Sequence, residues 1–203
     1  MTPRARPLPP DERRRVVLDA ARPLVVEHGR TVRTKDVAAA AEIAEGTLFR
    51  VFATKDALID AVVADAFDPA PFLRRLEEVD PNAPLEERIL VVVEAFLERF
   101  RGAFELMTAV GLGRPPEGAR GQWPKRGVRP PHQDWRSEVG RLVVEIIGPD
   151  ADRLTVPPEQ VAQYLRLLCF SGVHPHIAAG APLAPRQIVD VVLHGVLEVD
   201  RPC

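Results

Sequence analysis

The feature that most limits what this chain can become is the spacing of its apolar residues. They recur every three to four positions almost from end to end, and no stretch sustains strand-like alternation bounded by turn dipeptides. An all-α fold follows. The periodic segments predict helices at about Asp11–His28, Thr34–Ala41, Glu45–Phe52 and Thr54–Phe67. Two more are expected between Leu85 and Leu112, divided near Gly102, and three at about Gln133–Ile147, Pro158–Ala178 and Pro185–Val199. Gly29 stops the first, Pro23 removes a backbone bond inside it, and Thr34 and Thr54 are placed as N-caps. Asp68–Pro71 and Asp80–Pro84 read as breakers. The Gly-, Pro- and Arg-rich stretch 111–134 reads as a long loop.

Composition narrows the function classes. Hydrophobic residues at 46% and charged residues at 28% suit a globular core and exclude wholesale disorder. The longest aliphatic run, Ile89–Val93, is too short for a bilayer, and the N-terminus lacks the apolar stretch of a secretory signal, so a cytoplasmic protein with no membrane partner is expected. Cys169 and Cys203 make no disulfide framework, and Cys169 reads as an inert buried thiol. The net charge of -2 hides a partition: residues 1–55 carry 11 basic and 7 acidic side chains, the remainder 16 and 22. A small basic head precedes a larger acidic body.

The head carries the most specific pattern, the segment 34–52, TKDVAAAAEIAEGTLFRVF. Val37 and Ala41 are spaced to point inward from one short helix, Ile43 to plug a turn, and Leu48 with Val51 or Phe52 to point inward from the next. Ala38 must be small because the second helix crosses above it. This is the spacing of a helix-turn-helix. Its second helix would present Glu45, Gly46, Thr47, Phe49 and Arg50 to the major groove. Gly46 lets the backbone approach, Thr47 suits a phosphate or a thymine methyl, and Arg50 a guanine or a phosphate. Lys55 opposes the dipole at its helix N-terminus, a position better suited to a bound phosphate. Arg4 and Arg6 sit in a Pro-rich arm that could enter the minor groove.

Residues 43–50, IAEGTLFR, followed by 52–58, FATKDAL, resemble the DNA-binding head of TetR-family repressors. The resemblance covers about residues 11–67. It implies a homodimer on a palindromic operator in double-stranded DNA and a helical body that binds a small-molecule effector. It adds Arg33, Thr34 and Lys35 to the expected DNA-contact set of Glu45, Gly46, Thr47, Phe49, Arg50 and Lys55. Several positions depart from the family pattern. Glu42 stands where the turn usually has Gly, at a cost of about 1 kcal/mol if φ is positive. Ala44 stands where a capping Ser is common, Phe49 replaces Tyr, and Arg33 occupies a place often held by Ser or Thr. Glu42 and Glu45 also bring negative charge to the expected DNA face.

The body is read in outline. Along Pro158–Ala178, Val161, Leu165, Leu168 and Gly172 form a stripe; along Pro185–Val199, Ile188, Val191, Val192 and Gly195 form another. Both helices carry more apolar surface than one packed face requires, which suits an isologous four-helix dimer seam. Phe67, Phe96, Phe100, Phe104, Met107 and Trp135 are the large side chains available to line a cavity for an apolar or aromatic effector. The domains expected are 1–55, with a linking helix at about 54–67, and 68–203.

No phosphate-cradling loop, nucleophile elbow or productive carboxylate–histidine cluster is present, so neither catalysis nor a cofactor is expected. His174 and His176 do not share a helix face and lack further ligands, so no metal is expected either. The competing reading is a helical interaction or enzyme protein with a degenerate head. Binding to duplex DNA separates the two.

Overall fold

The computed structural model describes residues 9–112 and 134–196. Among these the regular elements are α-helices and two short 3-10 turns. They form two compact units. Residues 9–67 belong with 105–112 in one, and residues 68–104 with 134–196 in the other. The all-α expectation holds.

The first unit contains α1 (Pro10–His28), α2 (Thr34–Ala40), α3 (Glu45–Val51), α4 (Lys55–Ala66) and the end of α6 (Leu85–Ala109). Pro10 opens α1 at a position where a missing N–H costs nothing, and Asp11 and Glu12 complement the helix dipole. Val17, Ala21 and Val25 bury its inner face against Val37, Leu48, Leu58 and Ile59 in one hydrophobic cluster. Gly29 then turns the chain at φ 55, ψ -137, a conformation essentially confined to glycine. A Cβ there would also collide with the Ala109 carbonyl oxygen. Next to it, Arg30 Nε donates to the Val110 carbonyl at 3.1 Å, while Leu106 and Val110 are buried in the same cluster. The end of α6 is therefore part of the head's core. A single cut between residues 67 and 68 leaves that segment in the wrong unit.

α6 is one continuous helix rather than two divided at Gly102. An interior glycine costs about 1 kcal/mol against alanine, but burial of Ala103, Phe104 and Leu106 just beyond it outweighs that penalty.

The second unit contains α5 (Ala70–Glu77), α6 as far as Phe104, α7 (Asp134–Ile147), α8 (Pro158–Val173) and α9 (Pro185–Val196). α7 packs on α5 and α8, and α8 on α9. α5 falls where only breakers were expected. Pro69 is its N-cap and Pro71 lies in its first turn, where proline starts helices instead of ending them. Phe72 and Leu76, one turn apart, anchor it. α8 stops at Val173, short of Ala178, because Pro175 drives His174 into an extended conformation.

Arg88, 3% exposed, ties the unit together. Its Nε donates to the Ala83 carbonyl at 2.8 Å, and its other nitrogens reach the Ile146 carbonyl and the Asp150 carboxylate. The hydrogen bond from Arg153, then that from Arg88, holds the Asp150 carboxyl below its ordinary range. Burial raises the Cys169 thiol to about 12, leaving it protonated and unreactive at neutral pH. No described helix is long and apolar enough to cross a membrane. Residues 1–8, 113–133 and 197–203 lie outside the described residues, and with them Arg4, Arg6 and Cys203.

Candidate nucleic-acid interface

α2 and α3 are each only seven residues long, too short to persist without tertiary support. Val37, Ala38 and Leu48 are buried, and Phe52 closes the far end of α3. The turn between them is made by Glu42 at φ 54, and the Ile43 N–H donates to the Ala38 carbonyl at 2.9 Å. Ala44 caps α3 without a side-chain hydrogen bond, having no acceptor to offer. α4 is capped more strongly: the Thr54 hydroxyl accepts from the Ala57 N–H at 3.0 Å. Thr34 is not a cap. Arg33 occupies that position, and Thr34 is the first residue of α2.

With the core closed, the remaining side chains of α3 lie at the surface. Glu45, Gly46, Phe49 and Arg50 are exposed along α3 and Thr47 is half-buried. Phe49, an aromatic ring, is 43% exposed. A Cβ at Gly46 would meet nothing within 4 Å, so α3 has an open flank where another backbone could approach.

The cations divide into two groups. Several brace the fold. Arg14 lies over the Phe52 ring at 4.6 Å from its centroid, Arg15 reaches Asp19 and Asp65, and Arg33 Nε meets Asp36 at 2.7 Å. By contrast Lys35, Arg50 and Lys55, at the start of α2, on α3 and at the start of α4, make no ion pair among the described residues. A short exposed helix flanked by uncompensated cations on a closed core is what a phosphate backbone and a groove require. Fold and site together define a helix-turn-helix DNA-binding protein.

Comparison with known proteins narrows the class. The family model described as bacterial regulatory proteins, tetR family, matches residues 17–62. No curated protein matches the chain. Among solved structures, one described as the molecular basis for control of antibiotic production by bacterial hormones is 18% identical. It has a TM-score of 0.62, with 92% of this chain and 98% of that one covered. A TetR transcriptional regulator from Streptomyces coelicolor is 19% identical over 91% and 98%, with a TM-score of 0.54. SmeT, the repressor of a Stenotrophomonas maltophilia multidrug efflux pump, is 18% identical over 92% and 91%, with a TM-score of 0.55. At these identities the structures establish the shared fold. Residues 17–62 match the tetR-family model, and the chain as a whole shares the fold of these regulators.

The residues read for the body distribute differently from expectation. Val161, Leu165, Ile188 and Val192 are buried within the protomer, and Gly172 packs against the Leu183 side chain. Most of their surface is covered within the protomer, though Val192 still lines an open groove. Leu168 is half-buried, while Val191 at 62% and Gly195 are exposed. They border a groove of about 360 Å³ with Val192, Tyr164 and Leu167, the last two outside the expected seam set. Their spacing of three and four along one helix was a usable signal, but it did not distinguish this stripe from its buried neighbour.

Of the six side chains read as a pocket, Phe67 and Met107 fall in the first unit, and Phe96, Phe100 and Phe104 in the second. Those three stack on one another at 5.7 and 6.5 Å, and Phe170 meets Phe100 edge-on at 5.4 Å. Phe96 is fully buried. The Trp135 side chain is outside the described residues.

Proposed function

We propose that this regulator is a homodimeric repressor whose protomers each place α3 in the major groove of one half of a palindromic operator. The observation that carries the reading is the exposed α3 surface beside the unpaired Lys35, Arg50 and Lys55. Phosphate contacts from Lys35, Thr47, Lys55 and Arg33 set affinity; Arg50, with Gly46 and Phe49 against the groove, contributes sequence preference. The open groove of Tyr164, Leu167, Leu168, Val191 and Gly195 is the dimer seam, its apolar surface covered by the same surface of a second copy. A small apolar or aromatic effector, bound within the body, releases the DNA. Phe100 and Phe170, each partly exposed in the aromatic stack, are its nearest recognisable chemistry. The protein acts in the cytoplasm as a regulator, not an enzyme.

One experiment tests the reading. The unmutated chain should scatter light as a dimer at micromolar concentration and bind a selected operator with an affinity that falls steeply with salt. Leu168→Glu should give monomers and lower operator affinity at least a hundredfold, because a buried unpaired carboxylate costs several kcal/mol. A monomeric wild type, or a dimer that binds no duplex, would overturn it.

A further inference from the structure

The first residue of the exposed helix is an anion, and what sets it apart from the head's other acids is the partner that holds it. Asp19 and Asp65 meet Arg15, Asp36 meets Arg33, and Asp56 meets Arg30. Glu45 instead accepts a hydrogen bond from a neutral hydroxyl: Thr34 Oγ1 donates to Glu45 Oε1 at 2.5 Å. Its charge is therefore not cancelled, and no hydrogen bond to Glu45 Oε2 is seen among the described residues. The carboxylate is nevertheless oriented, since Thr34 sits on α2 and Glu45 on α3, elements fixed to each other through Val37, Ala38 and Leu48.

An oriented, uncompensated carboxylate on a surface facing a polyanion weakens binding to every sequence unless one sequence rewards it. In the major groove the edges of guanine and thymine offer acceptors, which repel a carboxylate. Adenine places its N6 donor beside the N7 acceptor. Cytosine presents the N4 amino donor without an adjacent acceptor of its own. We infer that Glu45 is the specificity-determining residue for a cytosine in each half-site, with Thr34 as its positioning residue. This rests on the proposed DNA interface and deepens it by naming the base. Lys35 and Lys55 attract any duplex; Glu45 penalises those without the right donor.

A simple strut between α2 and α3 would show the same hydrogen bond, so the test must separate the two roles. Glu45→Gln keeps an acceptor for Thr34 but removes the charge and adds a donor, the pairing that suits adenine N6 and N7. Full-length protein and the variants Glu45→Gln, Thr34→Val and Thr34→Ser would each select bound duplexes from a random-sequence pool, with thermal midpoints recorded alongside. The wild type should select a cytosine at one position per half-site. Glu45→Gln should move that position to adenine, with the cytosine-to-adenine ratio changing about tenfold or more, and leave the other positions alone. Thr34→Val should reduce discrimination at that position several-fold, and Thr34→Ser should restore it. If Glu45→Gln selects the wild-type site while binding all sequences more tightly, Glu45 is a strut or a general brake and the inference fails. If the wild type selects no sequence at all, the DNA interface itself is wrong and this inference goes with it.

Discussion

In the head, the clustered apolar side chains of α1 to α4 and the end of α6 cover one another, and Val16, Val26, Phe49 and Leu112 stay exposed beside the cations Lys35, Arg50 and Lys55. In the body the core is as dry, with Ile89, Val93, Phe96 and Leu165 fully buried, yet Leu167, Phe170, Ile177, Leu183 and Val191 stay exposed. The difference teaches where each unit's partner lies. A surface of unpaired cations cannot gain from apolar cover and is matched to a polyanion. A surface of Leu and Val gains about 25 cal/mol for each Å² of apolar area removed from water, and is matched to another apolar surface. One chain thus carries two unlike faces, one matched in charge to a polyanion and one matched to apolar cover.

The largest expected effect that would break this comparison comes from Gly29. Gly29→Ala forces a Cβ into a glycine-only conformation and against the Ala109 carbonyl, and should destabilise the head by about 3 kcal/mol. Hydrogen exchange should then accelerate about a hundredfold for amides of α1 to α4, with α7 to α9 protected as before. Equal acceleration in both sets would show that the units open together and that contrasting them is mistaken.

A somewhat smaller effect sharpens the body's side. Arg88→Met removes the donor to two backbone carbonyls and one of the two arginines at Asp150, and should cost the body about 2 kcal/mol. Its pH dependence has a definite sign. The Asp150 carboxyl is held below its ordinary range, so the stability it contributes is present above about pH 4 and is lost as pH falls through the lower folded-state value. The gap in denaturation midpoint between wild type and Arg88→Met should therefore narrow under acid conditions. A constant gap would assign the effect to the carbonyls alone.

The smallest effect belongs to the turn of the head. Glu42 adopts φ 54, where glycine is unstrained, so Glu42→Gly should stabilise the head by about 0.5–1 kcal/mol, less whatever entropy the unfolded chain gains. A raised denaturation midpoint confined to the head's amides is the expected result. A lowered one would mean that the Glu42 side chain contributes more than its backbone strain costs.

Legibility followed the range of the interactions. The helix-turn-helix was readable because its core residues lie within nineteen positions of one another and helical geometry converts their spacing directly into direction. The missing cap at Ala44 and the strained Glu42 were readable only as departures from the family pattern that the motif resembles. α5 was hidden because Pro69 and Pro71 serve equally as breakers and as helix starters, and only the burial of Phe72 and Leu76 decides between them. The continuity of α6 was hidden because packing, not propensity, carries the helix through Gly102.

The chain by itself determined its helical class, its basic head and the residues on the outer side of α3. Periodicity and local chemistry set all three without reference to distant contacts. Tertiary structure alone decided that residues 105–112 belong to the head, that Thr34 bonds Glu45 instead of capping its own helix, and that Tyr164 and Leu167 are left open while Val161 and Leu165 are spent. A helical stripe records that a side chain is apolar. Which neighbour covers it depends on elements that the sequence holds tens of residues away.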